Sequence, residues 1–503
     1  MATIAIIGGG VSGLSAGIYA QLHGHRATVY ERHAKAGGNL TGWDREGYHI
    51  DNCIHWLTGT NPVTDTYRMW QDLGVLGEVE VYQAEALYTY EEKGKRLSLS
   101  KSIDKLEADM LKLSPADKRE ILAFTGAVRA CMRLSGIAGK ANDKKSTAAQ
   151  RLLALPSLVR YYSMTTGELA ARFTHPLLQG FLKSILTDRF GALALIVGFA
   201  TFCGGNGGIP VGSSSAMAER LTRRFLSLRG SLRLSTGVAK INLGEKGAES
   251  ITLEDGSLER ADYVIIATDP AVAFGKLVER RLMPKALSRQ YQTFGLFRFS
   301  SVHAAFACEK KPPFKGDLIV ELPRKYQRVL GGEHIILREF SHEKGFAPRG
   351  KHLVQAMVYC TEPRARGFIA LYKNKKAYTA KKQQLAADIE RAIEEKLPIL
   401  SGALSCLDVW TPATYQKFVG SEMGSWMGFA FSSGILPTRL SARVKGVENL
   451  LLATQWLQAP GGLPIAAGGG REAIRTLLKI EEAKRAALGK RRSALPENPL
   501  PTA

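Results

Sequence analysis

Gly8, Gly10 and Gly13 stand in GxGxxG spacing within IAIIGGGVSGLSAGIYA, residues 4–20. The first glycine permits a tight turn, the second lets the backbone approach a pyrophosphate, and the third lets a helix pack closely on a strand. Residues 4–7 are all apolar, as in strands buried on both faces, and residues 14–22 read as a helix. A second strand-like run, ATVYE, ends at Glu31, eighteen residues after Gly13. Its carboxylate can accept from the ribose hydroxyls of an adenosine, while the helix start offers free N–H groups and a partial positive charge to phosphates. These pieces make a complete dinucleotide-binding βαβ unit. Gly37 and Gly38, flanked by Arg32 and Asn39, can bring a second backbone turn against the same diphosphate.

Another glycine-rich stretch, PGGLPIAAGGGREAIR, occupies residues 460–475. It follows ENLLLATQWL (448–457), a buried-strand run, and enters a long helix. Pro464 is tolerated in the first helical turn because its missing N–H would be unpaired there. Gly462, Leu463 and Pro464 thus mark a helix start whose amides face whatever lies at that end. Between the two glycine stretches, GYHIDNCIHWLTGTNP (47–62) holds His55. Its imidazole either titrates as an acid or base near neutral pH or is a hydrogen-bonded packing residue. No Ser-His-Asp spacing, paired-carboxylate motif or second GxGxxG occurs. GGNGG at 204–208 lacks an acidic partner at the right distance and is rejected as a nicotinamide site.

The elements that position these residues belong to a chain of 503 residues, too long for one compact core, since domains rarely pass ~300. The net charge is +22, but residues 1–100 carry eight Lys/Arg against eleven Asp/Glu, so the remaining 403 carry +25. With no helix-turn-helix, zinc-finger or RNA-recognition signature, nucleic acid is excluded as a partner. The basic excess fits a solvated surface or attraction to anionic lipid. Six cysteines lie scattered without CxxC or metal-type spacing, which speaks against a zinc site and for a reducing, cytoplasmic compartment. The apolar run FGALALIVGFATFC (190–203) is too short to span a membrane as a helix, which needs about twenty residues, and reads as a core or channel helix.

Later stretches return to the dinucleotide unit: GGIPVGSSSAMAERLTRRF (207–225) as a loop and amphipathic helix, SLRLSTGVAKINL as strands around Val238, and ADYVIIATDP (261–270) as a buried strand and turn. With GGGVSGLSAGIYA, YERHAKAGGNLTGW, GYHIDNCIHWLTGT, TPATYQKFVGSEMGSWMGF and LLLATQWLQAPGGLP, in that order over residues 4–470, the chain resembles the phytoene desaturase, carotenoid isomerase and retinol saturase branch of the amine-oxidase-like flavoproteins. One departure is GGGR at 468–471, where the family more often has a small residue and Ser before Gly-Arg.

The resemblance implies FAD. Gly8, Gly10, Gly13, Glu31, Arg32, Gly37, Gly38 and Asn39 would hold its dinucleotide part, backbone at Val238 would meet the adenine, and the helix start at Gly462, Leu463 and Pro464 would face the flavin ring. It also sets His55 and Trp56 beside that ring. Tyr415 and Trp426 are either liners of the substrate mouth or members of an aromatic core patch. Cys53 is either a covalent flavin tether or a small buried residue. No metal is implied.

The expected fold is α/β: a discontinuous Rossmann-type FAD-binding domain (1–75, 205–285, 440–480), a mixed-sheet substrate domain (76–100, 286–439) and a helical lid or membrane-facing lobe (101–204). A basic tail (481–503) ends in KRRSALPENPLPTA, expected to be disordered. The function implied is hydride transfer between flavin and a carbon–carbon bond of an apolar polyene, isoprenoid or lipid, either desaturating or saturating it. Oxygen, a quinone or a nicotinamide would serve as electron acceptor, and the protein would be cytoplasmic or peripheral at the inner membrane face. A flavin amine oxidase and a non-redox lipid escort, like the Rab GDP-dissociation inhibitors, are the alternatives.

Overall fold

A computed structural model describes residues 1–134, 148–245 and 247–493. Thr3–Ile7 lies inside a six-stranded sheet ordered Ser231–Arg233, Arg26–Tyr30, Thr3–Ile7, Tyr263–Ile266, Val447–Leu452 and Arg443–Val444. All neighbours run parallel except the last pair. Period-2 alternation explains the run of apolar residues. Ile4 and Ile6 face a cluster with Leu14, Ile18, Leu221, Phe225, Ile474 and Leu477 from the helices Val11–Leu22, Ser213–Ser227 and Leu463–Ser493. Ala5 and Ile7 face the opposite cluster, with Ile241, Ile251 and Leu253 of a three-stranded sheet. Segments more than four hundred residues apart thus share one sheet.

The second body is a seven-stranded sheet ordered Leu404–Trp410, Phe299–Cys308, His352–Thr361, His334–Glu339, Asp317–Glu321, Ala86–Glu92 and Lys95–Ser100. Its pairings are antiparallel except that of Asp317–Glu321 with Ala86–Glu92. Val302, Ala304, Phe306, Leu318, Leu337 and Val354 pack against Leu385, Ile389 and Ile393 of the helix Lys375–Lys396. The opposite phase contributes Ile319, Ile336 and Met357 to a cluster with Leu106, Phe124, Phe181 and Phe199 from a helical lobe. The apolar run near residue 195 is the helix Ala192–Cys203 in that lobe's core. Thr165 and Glu168 form a capping box at the start of Thr166–Ala170.

Two expectations are corrected. Gly207–Pro210 is a strand, pairing with Leu57–Thr58 and Val81–Tyr82, where the sequence suggested a loop. Glycine without a Cβ lets Trp56 lie over it: a Cβ on Gly207 would sit 2.6 Å from the indole. The last helix also runs on to Ser493, past the boundary at 480 and into KRRSALPENPLPTA. Strong helix formers and an Arg485–Glu481 pair one turn apart (3.3 Å) explain the extension. Residues 494–503 of that segment lie outside the described residues. No helix among the described residues is long and apolar enough to cross a membrane.

The run Gly468–Gly470 lies in the body of the final helix and does not form a loop. A Cβ on Gly470 would sit 2.5 Å from the Ser12 carbonyl oxygen, and Ser15 Oγ donates to Ala467 O at 2.7 Å. Gly470 lets the first and last helices touch backbone to backbone, while Gly469 lies against the Thr454 backbone. Gly470→Val is expected to destabilise the protein by about 1–3 kcal/mol through overpacking. An unchanged melting temperature would contradict this account of the helix crossing.

Candidate active site

The first glycine turn is shaped by contacts no side chain would allow. Gly8 has φ +108°. A Cβ on Gly13 would collide with the Gly8 carbonyl oxygen, so only glycine permits this approach of helix to strand. The second turn, with φ +124° at Gly37 and +61° at Gly38, is fastened to the first by Gly37 N–H donating to Gly9 O at 2.8 Å. At Gly10 an added Cβ would meet nothing nearer than Gly38 Cα, at 3.9 Å. Glu31 is buried, accepting from Gly9 N–H (2.7 Å) and His33 N–H (2.9 Å). A carboxylate has about four lone-pair sites, so two remain for hydroxyls. Thr236 N–H donates to Glu31 O, which brings the strand beginning at buried Val238 alongside. Arg32 is exposed and donates to Lys417 O at 2.8 Å.

The C-terminal helix starts at Leu463, with Pro464 in its first turn. Gly462 has φ +112° and open space at its Cβ position. Its amide donates to Gln455 Oε1 at 2.7 Å, which leaves Leu463 and Ile465 as first-turn amides without an acceptor inside the helix. Gly461 abuts the Gly428 backbone so closely that a Cβ there would overlap it. The 411–429 stretch and the PGG loop therefore touch.

A polar chain leaves the second glycine turn. Asn39 Nδ2 donates to Trp426 O at 3.0 Å, and Asn52 Nδ2 donates to Asn39 O at 3.0 Å. The Tyr415 hydroxyl bonds Asn52 Oδ1 (3.0 Å) and His303 Nε2 (3.1 Å), and accepts from Trp410 Nε1 (3.1 Å). Tyr415 is 4% exposed, so the buried aromatic patch describes it and an open mouth does not. Ser301 Oγ accepts from Trp426 Nε1 at 2.8 Å and meets His303 Nε2 at 2.5 Å. With its lone pairs facing that indole, Ser301 directs its proton to His303, whose Nε2 is then an acceptor. Burial pushes His303 well below the usual imidazole range, with protonation of nearby His55 and the charge of Arg338 opposing its own protonation further. His303 is a neutral residue stacked on Trp410 at 4.7 Å.

His55 sits differently. It lines a small cavity with Asp51, Asn52, His303 and Arg338, its side chain 32% exposed. Nδ1 lies 3.3 Å from Asp317 Oδ2. Asp317 is held from the other side by a bidentate Arg338, with Nε–Oδ1 at 2.6 Å and the second bond at 2.8 Å. Arg338 also donates to Ile54 O at 2.6 Å. Asp317 and Arg338 are buried, and the carboxyl stays well below its usual range because Arg338 and the His55 bond outweigh desolvation. Desolvation, then Arg338, lower His55 against the pull of Asp317. Trp56 is half-buried over Gly207. Burial, then Asp51, pushes the Cys53 thiol up to about 12, so it is protonated and a poor nucleophile at neutral pH.

The sequence singled out His55, Trp56 and Tyr415; Ser301, His303, Asp317, Arg338 and Gln355, which the structure places around His55 and Tyr415, it did not single out. All five share one phase of the seven-stranded sheet, opposite Val302, Leu318, Leu337 and Val354. Asp317 faces Arg338 directly across the strands, and Arg338 faces Gln355. The available signal was a polar residue breaking an apolar strand, as in IILREF and HLVQAMVY.

Residues 11–473 match the family described as flavin containing amine oxidoreductase. The chain belongs to this family. It is an FAD-dependent oxidoreductase, and the glycine cradle, the remaining capacity of Glu31 and the open space at Gly10 and Gly462 fit that cofactor. Prolycopene isomerase of Arabidopsis thaliana is 23% identical over 443 residues, 84% of this chain and 73% of its own. A phytoene desaturase (lycopene-forming) of Pseudescherichia vulneris is 24% identical over 293 residues, 54% of this chain and 57% of its own. The fold resembles an oxidoreductase from Methanosarcina mazei (TM-score 0.62, 17% identity, 94% of this chain and 100% of that one). It also resembles putrescine-bound putrescine oxidase (TM-score 0.59, 14% identity, 96% and 99%).

Two outcomes follow for this flavoprotein. Asp317→Asn leaves the Arg338 charge buried without its partner and is expected to cost about 3–5 kcal/mol, read by chemical denaturation. His303 adds a pH dependence. An unfolded imidazole titrates near ~6.5 and the folded one well below, so under about pH 6.5 the unfolded chain takes up a proton the folded chain does not. Stability is full above that pH and falls as pH drops below it, by about 1.4 kcal/mol per unit for this residue. A flat profile between pH 6.5 and 5 would contradict the neutral, buried His303.

Proposed function

We propose that this oxidoreductase acts on a carbon–carbon bond of an apolar polyene, isoprenoid or lipid, desaturating or saturating it by hydride transfer. The observation that carries the substrate class is the similarity to prolycopene isomerase across 84% of the chain, joined by that to a phytoene desaturase. FAD, when bound, accepts or returns the hydride. In this reading Gly8, Gly10, Gly13, Glu31, Gly37, Gly38 and Asn39 hold the dinucleotide, with Arg32 tying that turn to Lys417. Val238 borders the adenine, and the helix start at Gly462, Leu463 and Pro464 stabilises negative charge on the ring. Trp56 walls the site, Tyr415 orders its polar floor, and His55 is the group able to move a proton.

Three bodies follow from this reading: the FAD domain, the substrate sheet and a helical lid whose core includes Phe181 and Phe199. The basic surface would let the enzyme meet its substrate at an anionic membrane face without spanning it. Oxygen, a quinone or a nicotinamide reoxidises the flavin.

The test is spectroscopic. Purified protein is expected to absorb near ~370 and ~450 nm, bleach with dithionite and release FAD on denaturation. Under anaerobic conditions, polyenes or lipids are expected to change the flavin spectrum and amines to leave it unchanged. Reduction by amines alone would replace this reading with an amine oxidase. Failure to bind FAD would favour a non-redox lipid carrier.

A further inference from the structure

The proposed function leaves open which nitrogen of His55 works, and what decides it. The neighbouring charges answer this. Nδ1 lies against Asp317 Oδ2, and no other hydrogen bond to the His55 ring occurs among the described residues. Asp317 cannot turn away, because both its oxygens are gripped by Arg338. Arg338 cannot shift either, because it also holds the carbonyl of Ile54, the residue just before His55. Ile54 O, Arg338, Asp317 and His55 Nδ1 thus close a loop of charge-assisted bonds on one short stretch of chain.

Resting on the proposed function, we infer that Asp317 and Arg338 are positioning residues that fix His55 as its Nδ1–H tautomer and so make Nε2 the proton-transferring atom of the site. An ionised carboxylate only accepts, so the bond to Asp317 requires a proton on Nδ1. Nε2 then carries the lone pair and has no hydrogen-bond partner among the described residues.

The other charged or titratable groups around this cavity are Asp51, His303 and Arg338. Asp51 accepts from Ser214 N–H (2.7 Å) and Ser214 Oγ (2.9 Å), and the Nε2 of His303 is engaged by Ser301 and Tyr415. Ser301 and Tyr415 thus leave His303 no free lone pair for the task, and Asp51, 7% exposed, is turned against Ser214. Arg338 plays two parts: its charge disfavours imidazolium, which keeps Nε2 unprotonated and able to accept, while its grip holds the carboxylate that sets the tautomer. In a desaturation, Nε2 would take the proton from one carbon while bound FAD would supply the acceptor for the hydride of its neighbour. The electron pair freed by loss of the proton becomes the new double bond, and a saturation runs the same steps backwards.

The tautomer can be read directly. Holoprotein labelled with ¹⁵N-histidine, its His55 resonances assigned from His55→Gln, is expected to show a protonated Nδ1 and an unprotonated Nε2 at neutral pH by long-range ¹H–¹⁵N correlation. The double variant Asp317→Asn, Arg338→Met removes both charges and orphans neither. In it the Nδ1–H form is expected to lose its dominance to the Nε2–H form. A wild-type His55 protonated on Nε2, or charged at neutral pH, would overturn the inference, as would a tautomer unchanged in a folded double variant. If the double variant does not fold, the wild-type tautomer alone decides. Flavin absorbance of the same samples separates the two readings. Colourless protein with an Nδ1–H His55 defeats the cofactor role and leaves the positioning intact, while yellow protein with Nε2–H does the reverse.

Discussion

The buried pair of Asp317 and Arg338 is the constraint on which the site depends. Neither residue lies near the nucleotide sheet in sequence, yet Arg338 holds the Ile54 carbonyl and Asp317 holds His55. Two strands of the seven-stranded sheet thereby fix a loop that leaves the nucleotide-binding half of the molecule. Taking two charges out of water is costly, and a pair of this kind contributes little net stability compared with an apolar replacement. Its effect is to define one geometry, since breaking either half leaves an uncompensated charge. The loop at residues 52–56 is consequently held by charge, where most of the molecule is held by packing.

The nucleotide half is held by the opposite means. There the governing fact is the absence of side chains: Gly13 against the Gly8 carbonyl, Gly37 against Leu40 O and Gly470 against Ser12 O. Close backbone approach brings the first and last helices together, so residues 4–20 and 460–475 form parts of one body. After Tyr263–Ile266 the chain can travel through the seven-stranded sheet and return because Val447–Leu452 pairs in parallel with that strand. Local spacing made the first glycine turn. The return strand completes the sheet beside it.

Legibility in the sequence followed the range of the interactions. GxGxxG and Glu31 act within thirty residues, and their geometry is set by φ angles and strand-to-helix spacing, so residue types alone disclosed them. The parallel strands were legible because burial on both faces leaves continuous apolar runs such as residues 4–7 and 263–266. The helix start at Leu463 was legible from Pro464. Gly468–Gly470 was harder, since glycine serves a tight turn and a close helix crossing equally well, and only the neighbour tells which. His303, Asp317 and Arg338 were not legible as a site, because each is a single polar residue in a separate strand. Their meeting depends on register, Asp317 opposite Arg338 (21 positions on) and His303 opposite Met357 (54 positions on), and no local pattern encodes such pairing between strands.

The sheet face that carries these residues changes character along its surface. Ile319, Ile336 and Met357 pack into the helical lobe, while Asp317, Arg338, His303 and Ser301, on the same side, are polar. An apolar substrate brings no donors or acceptors, so any polar group it met would lose water and gain nothing. Such a site tolerates polarity only where the protein satisfies its own groups. Asp317 is matched by Arg338, Ser301 and Tyr415 by His303 and two indoles, and Asn52 by Asn39. With these bonds made, His55 lines the small cavity beside this polar part, its Nδ1 against Asp317. On the proposed function, hydride and proton transfer at carbon would call for that economy, in which the polar residues of the face bond chiefly to one another.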